Sequence, residues 1–202
     1  MTKLFWCPNT RAIRGIWLLE ESGIPYERVK IDIRDPNSRA NPEFRSASPM
    51  GKVPALIDGP VRINDSGAMC IYIADAYPKA GLGPAVGHPD RGAFLQWTLF
   101  NNSHLEPAMA EKAAGLTPKP SQNGWGDMES TLAALRQGLE KGPFILGERF
   151  SAADIMLGSG LNFMFMFKML DAEKEPQLSA YANKCMERPA AQTAARISSG
   201  QE

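Results

Sequence analysis

The chain has 202 residues, 44% apolar and 22% charged, and its 22 Lys and Arg balance 22 Asp and Glu to a formal net charge of zero. That is a globular mixture, long enough to bury its own core. It argues against the basic face that binds nucleic acid and against a polybasic membrane anchor. There is no apolar stretch long enough to span a bilayer, and MTKLFWCPNTRAIRG lacks the order of a secretory signal. Three separated cysteines (Cys7, Cys70, Cys185) and two histidines (His88, His104) have no metal-ligand spacing. The expected setting is a reducing cytoplasm. Neither metal nor cofactor is expected.

Lys3 to Cys7 reads as a short strand closed by Pro8-Asn9. A helical pattern starts at Thr10, with Ile13, Ile16, Trp17 and Glu20 spaced by three and four. Gly23, Ile24 and Pro25 mark its end. Val29, Ile31 and Ile33 alternate with Lys30 and Asp32, as a half-buried strand does. Ser38 to Met50 is polar and carries weak helical content at best. Val53 to Ile57 and Val61 to Ile63 read as a hairpin turned at Asp58-Gly59. A helix opens at Asp65-Ser66 and stops before Pro78. The order β-α-β, loose segment, β-β-α is the layout of a thioredoxin-like domain over residues 1–77.

Residues 78–89 (PKAGLGPAVGHP) form a linker rich in Gly and Pro. Residues 90–202 read as all-helical, with segments Asp90–Met109, Asp127–Lys141, Ser151–Leu170 and Leu178–Arg188. The expected fold is therefore an α/β thioredoxin-like N-terminal domain followed by an all-α C-terminal domain.

Three features of the first half bear on chemistry. Pro54 opens an apolar strand, where proline belongs because it cannot donate to a ladder. A cis Val53-Pro54 bond would present the Val53 N–H and C=O to a ligand; an ordinary trans turn is the alternative. Asp65-Ser66 is either a plain N-cap or a cap whose free amides take a carboxylate while Asp65 faces an ammonium group. Cys7 and Thr10 lie where a helix start favours a thiolate. Structurally, they would be a small buried residue and an N-cap.

Cys7-Pro8-Asn9-Thr10-Arg11, Trp17-Leu18-Leu19-Glu20-Glu21, Gly51-Lys52-Val53-Pro54-Ala55-Leu56 and Asp65-Ser66 come in the order and spacing of glutathione S-transferases. Gly147-Glu148-Arg149-Phe150-Ser151-Ala152-Ala153-Asp154 resembles that family's helix-start signature, with Ser151 and Asp154 forming a capping box and Phe150 stapling onto Ile155. The resemblance covers nearly the whole chain. It implies a cis Pro54, Val53 pairing with the cysteinyl backbone of glutathione, Asp65 and Ser66 holding the γ-glutamyl end, and Lys52 near the glycyl carboxylate. Asp65 stands where Glu is more usual, and the first strand has no nearby tyrosine. The activating residue is then Thr10, as in serine-type members, or Cys7, as in omega-like relatives. The resemblance also implies a homodimer and a small electrophilic second substrate, with glutathione as co-substrate. Trp97, Phe100, Phe163 and Met164 are the candidate lining of an acceptor pocket, although most such residues serve the core. The other readings are a thiol transferase using Cys7 and a non-enzymatic interaction protein of the same fold.

Overall fold

The computed structural model describes residues 1–201. They divide into two compact units, residues 1–82 with 188–201, and residues 83–187. The first unit is built on a four-stranded sheet in the order β2-β1-β3-β4. β1 (Thr2–Trp6) runs parallel to β2 (Tyr26–Lys30) and antiparallel to β3 (Ala55–Asp58), which pairs with β4 (Val61–Ile63). Leu4 and Phe5 point to opposite faces of the central strand, yet both are fully buried. A strand covered on both faces is apolar throughout. On one face Phe5, Ile31, Phe44, Ala47, Ala55 and Ile57 form a cluster. On the other, α1 (Ile13–Ser22) comes so close at Gly15 that an added Cβ would lie 2.9 Å from Leu4 Cδ1 and 3.1 Å from Pro54 Cβ.

Local chemistry explains where the elements depart from expectation. α1 begins at Ile13, not Thr10, because residues 10–12 form tight turns with Ile13 N–H donating to Thr10 C=O at 3.3 Å. It ends as read, on Gly23 at φ 67°. The Val29-Ile31-Ile33 alternation lies later than the ladder. Ile31 is core, but the Arg34 N–H turns back onto the Asp32 carboxylate at 2.8 Å and ends the extended run. The polar segment contains two short helices, α2 (Pro36–Arg39) and α3 (Pro42–Ala47), capped by Asp35 and Asn41 with proline in the first turn. α4 (Ser66–Ala76) is capped by Asp65, whose carboxylate accepts the Ala68 N–H at 2.8 Å.

The second unit is helical: α5 (Arg91–Phe100), a five-residue π-turn (Asn101–Leu105), α6 (Glu106–Ala113), α7 (Met128–Gly138), α8 (Ala152–Met166) and α9 (Pro176–Met186). Its centre is α8, buried along Ala152–Leu161. The Asp154 carboxylate is wholly enclosed, accepting from Ile145 N–H and Ser151 N–H at 2.8 Å, Tyr181 O–H at 2.9 Å and Ser151 O–H at 3.0 Å.

The domain boundaries drawn from sequence need one correction. A further helix, α10 (Pro189–Ser199), follows the proline read as a terminator, and it belongs to the first unit. Proline suits the first turn of a helix as well as it ends the preceding one. α10 buries Ala191, Ala194 and Ile197 and packs on α1. Among the described residues no helix is long and apolar enough to cross a membrane.

Candidate active site

Strand register brings the motif residues together. In the β1–β3 ladder Phe5 faces Ala55, and in the β3–β4 ladder Leu56 faces Ile63. Cys7 follows β1, Val53 precedes β3 and Ser66 follows β4, so the three lie in a row, in strand order, beyond one end of the sheet. Neighbouring strands stand about 4.8 Å apart, so the three strands that carry these loops span roughly 10 Å. At this end β1 and β4 leave the sheet and β3 enters it.

At the centre of the row the Val53-Pro54 bond is cis, as expected. Pro54 is buried beneath Gly15, and Val53 is half-buried. The approach to this corner is held by Ser48, whose fully buried hydroxyl accepts the Lys52 N–H and donates to the Lys52 C=O, both at 2.8 Å. Gly51 sits at φ 64°, the left-handed region that glycine enters without penalty. A Cβ there would collide with the Arg45 guanidinium at 2.6 Å and lie 3.4 Å from that of Arg39. The exposed Arg39 and Arg45 therefore bring positive charge to Gly51, the residue before exposed Lys52. Sequence reading gives Lys52 and misses the two arginines and Ser48. Their contribution depends on how the loop folds back, not on any motif.

At one end Asp65 is exposed and caps α4, while Ser66 occupies the first helical position, where amides lack intrahelical partners. At the other end, Thr10 O–H donates to the Cys7 C=O at 2.7 Å, and Thr10 Oγ accepts the Ala12 N–H at 3.2 Å. Thr10 thus caps a turn ahead of α1 and not the helix itself. Asn9 between them has φ 55° and donates its N–H to the Ser198 C=O at 3.0 Å. Cys7 is half-buried, whereas Cys70 and Cys185 are enclosed. Burial pushes the Cys70 thiol up to about 12, with Arg14 opposing. Of the three cysteines, Cys7 is the one a reagent can reach.

The proposed acceptor residues fare unevenly. All four belong to the second unit. Trp97 and Phe163 are half-buried, and Phe163 stacks on exposed Phe167 with ring centroids 6.2 Å apart. Phe100 is 8% exposed and lies between the Trp97 and His104 rings. Met164 has no accessible surface and packs in the core, so it lines no pocket in this structure. Trp97 also lines a cavity of about 440 Å³ with Ala134, Gly138 and Ile145.

The model of the glutathione S-transferase N-terminal domain matches residues 6–76, and that of the C-terminal domain matches residues 107–181. The chain belongs to the glutathione S-transferase family. A sphingomonad glutathione S-transferase, solved in complex with glutathione, is 30% identical over 97% of this chain and 98% of its own, with a TM-score of 0.77. A glutathione transferase from Methylococcus capsulatus is 26% identical over 98% of both chains, at a TM-score of 0.81. Among curated relatives, disulfide-bond oxidoreductase YfcG of Escherichia coli K12 is 26% identical over 94% of this chain and 92% of its own. Glutathione S-transferase GstA of Escherichia coli O157:H7 is 26% identical over 95% and 96%. The thioredoxin-like fold of the first unit and the helical second unit are those of this glutathione S-transferase family.

Proposed function

We propose that the protein binds glutathione along the Cys7–Val53–Ser66 row and transfers its thiolate to small apolar electrophiles. The observation that supports this is that the loops carrying Cys7–Thr10, Val53 and Asp65–Ser66 open at the same end of the sheet, on neighbouring strands. The Val53 backbone pairs with the cysteinyl residue. Ser66 and the open amides of α4 take the γ-glutamyl carboxylate, with Asp65 toward the ammonium group. Arg39, Arg45 and Lys52 take the glycyl carboxylate, since guanidinium groups match its planar geometry. The thiolate then forms the new C–S bond, and the leaving group departs with its electron pair. By family resemblance, Trp97 and Phe163 remain the candidate residues for the acceptor. By family resemblance, the working form is a homodimer.

Thr10 is the proposed activator. Its single hydroxyl proton must turn from the Cys7 carbonyl to the sulfur of glutathione. Lowering a thiol pKa by two units takes about 2.7 kcal/mol, within reach of one hydrogen bond to a charged group plus a helix start. A second reading rests on that same committed proton and on the accessible Cys7. The Cys7 thiolate would attack a disulfide sulfur, and glutathione would resolve the mixed disulfide. Kinetics of two variants decides. Under the first reading Thr10→Ala lowers kcat by about 10- to 100-fold with KM for glutathione within a few-fold, and Cys7→Ser is nearly silent. Loss of activity in Cys7→Ser, with a glutathione adduct on wild-type Cys7 by mass spectrometry, overturns the conjugation reading in favour of exchange.

A further inference from the structure

Helix α10 is the last described helix, contributes no motif residue, and yet meets the thiol loop. Its last turn leaves carbonyls without intrahelical donors. Gly200 N–H and Gln201 N–H satisfy Ile197 and Arg196 at 3.0 Å, and the Asn9 N–H satisfies Ser198, also at 3.0 Å. That bond holds Asn9 at φ 55°, a region costly for most residues and tolerated best by Asn and Gly. Asn9 separates Cys7 and Thr10, and the Thr10 hydroxyl closes back on the Cys7 carbonyl, so its conformation sets where both side chains stand.

The opposite end of α10 is bolted down independently. Arg188, its N-cap residue, makes a bidentate pair with Glu21 near the end of α1, Nε to Oε1 at 2.6 Å and Nη2 to Oε2 at 2.8 Å. Glu21 Oε1 also accepts the Trp17 indole N–H at 3.0 Å. The Glu21 side chain is 9% exposed, so the pair is shielded on the acid's side. With eleven residues, α10 is about 16 Å long. It lies antiparallel to α1 and clamps that helix at its end and the loop ahead of its start.

We propose that α10 is a positioning element for the thiol site, with Arg188 and the Ser198 carbonyl as its two anchors and Asn9 as the residue they hold. None of the three touches the reacting sulfur. The inference rests on the reading of the Cys7–Thr10 loop as the thiol-handling segment. It predicts that loosening the clamp exposes Cys7 while misplacing the loop for turnover, so two rates move in opposite directions.

The test uses the full-length chain, with iodoacetamide alkylation of Cys7 followed by peptide mass spectrometry, alongside glutathione-dependent turnover. Arg188→Ala and Asn9→Ala are expected to raise the alkylation rate about fivefold or more and to lower kcat by a similar factor, with KM for glutathione within about twofold. Asn9→Gly keeps both the N–H and access to positive φ, and is expected to recover most of what Asn9→Ala loses. An Arg188→Ala protein with native circular dichroism and an unchanged or lower alkylation rate overturns the proposal. Should Arg188→Ala fail to fold, the Asn9 pair decides: equal alkylation rates for Asn9→Ala and Asn9→Gly overturn it. If wild type shows no glutathione-dependent turnover but Arg188-dependent alkylation persists, the proposed function falls and the positioning role stands.

Discussion

Ser48 is the residue whose loss should separate the loop's stability from its chemistry. Its buried hydroxyl satisfies both backbone groups of Lys52, one residue before the cis corner. Ser48→Ala leaves a donor and an acceptor short of partners, a cost of about 1–3 kcal/mol. Urea denaturation should show that loss, and KM for glutathione should rise more than kcat falls, because Val53 is displaced while Thr10 is not. Cys7, Thr10, Val53, Pro54, Asp65 and Ser66 are legible in the sequence because each sits within a contiguous motif. Ser48, Arg39 and Arg45 are not, because their parts depend on a loop that folds back around Gly51. Met164 misleads for a different reason: a run of five bulky apolar residues tells that a helix is buried, not which of its faces opens onto a ligand.

Two polar anchors fix the elements in place, and each gives a measurement. Asp154 is buried, and burial pushes its carboxyl up while the backbone amides of Ile145 and Ser151 and the hydroxyls of Tyr181 and Ser151 pull it down. Asp154→Ala orphans several buried donors at once and should lower stability by about 3–5 kcal/mol, read from the denaturation midpoint. The second anchor docks α4 on the β3–β4 hairpin. Asp58 accepts the Tyr77 hydroxyl at 2.7 Å and the Tyr72 and Thr2 hydroxyls at 2.9 Å. Burial works upward on Asp58, but those three donors together hold its carboxyl below the ordinary value. Burial and the Asp58 bond push Tyr72 up to about 12. A depressed acid contributes stability above its unfolded pKa, near 3.9, and loses it as pH falls through that range. A raised phenol contributes below about pH 10 and loses it as pH climbs toward the folded value. Stability from this anchor should therefore be flat between about pH 5 and 9 and fall on both sides. Asp58→Asn should flatten the acid limb of a pH series of urea melts. The capping box around Asp154 is legible from Ser151 and its spacing, whereas the Asp58 cluster, spread over Thr2, Tyr72 and Tyr77, has no local signature. The missing α10 shows the limit most clearly, since Pro189 is both a stop for one helix and a start for the next.

For the molecule as a whole, the proposed homodimer has a direct check. Light scattering at micromolar concentration should give twice the 22.1 kDa chain mass, and a monomer under those conditions would remove the dimer from the proposal. The two-unit division is legible in the change from alternating strand and helix signals to helical periodicity after the Gly- and Pro-rich stretch. What composition does not reveal is that the first unit is discontinuous. Its sheet and first helices come from the opening 82 residues, and its last helix comes from residues 189–199, with the entire helical unit encoded between them. On the ribosome, domains usually complete their folding in the order in which they are made. In this chain the unit begun first is the one whose last helix is made last. Residues 83–187 are all made before the helix that covers α1. A chain cut just before Pro189 would therefore keep every residue of its helical unit and leave the sheet-bearing unit as the part without its last helix.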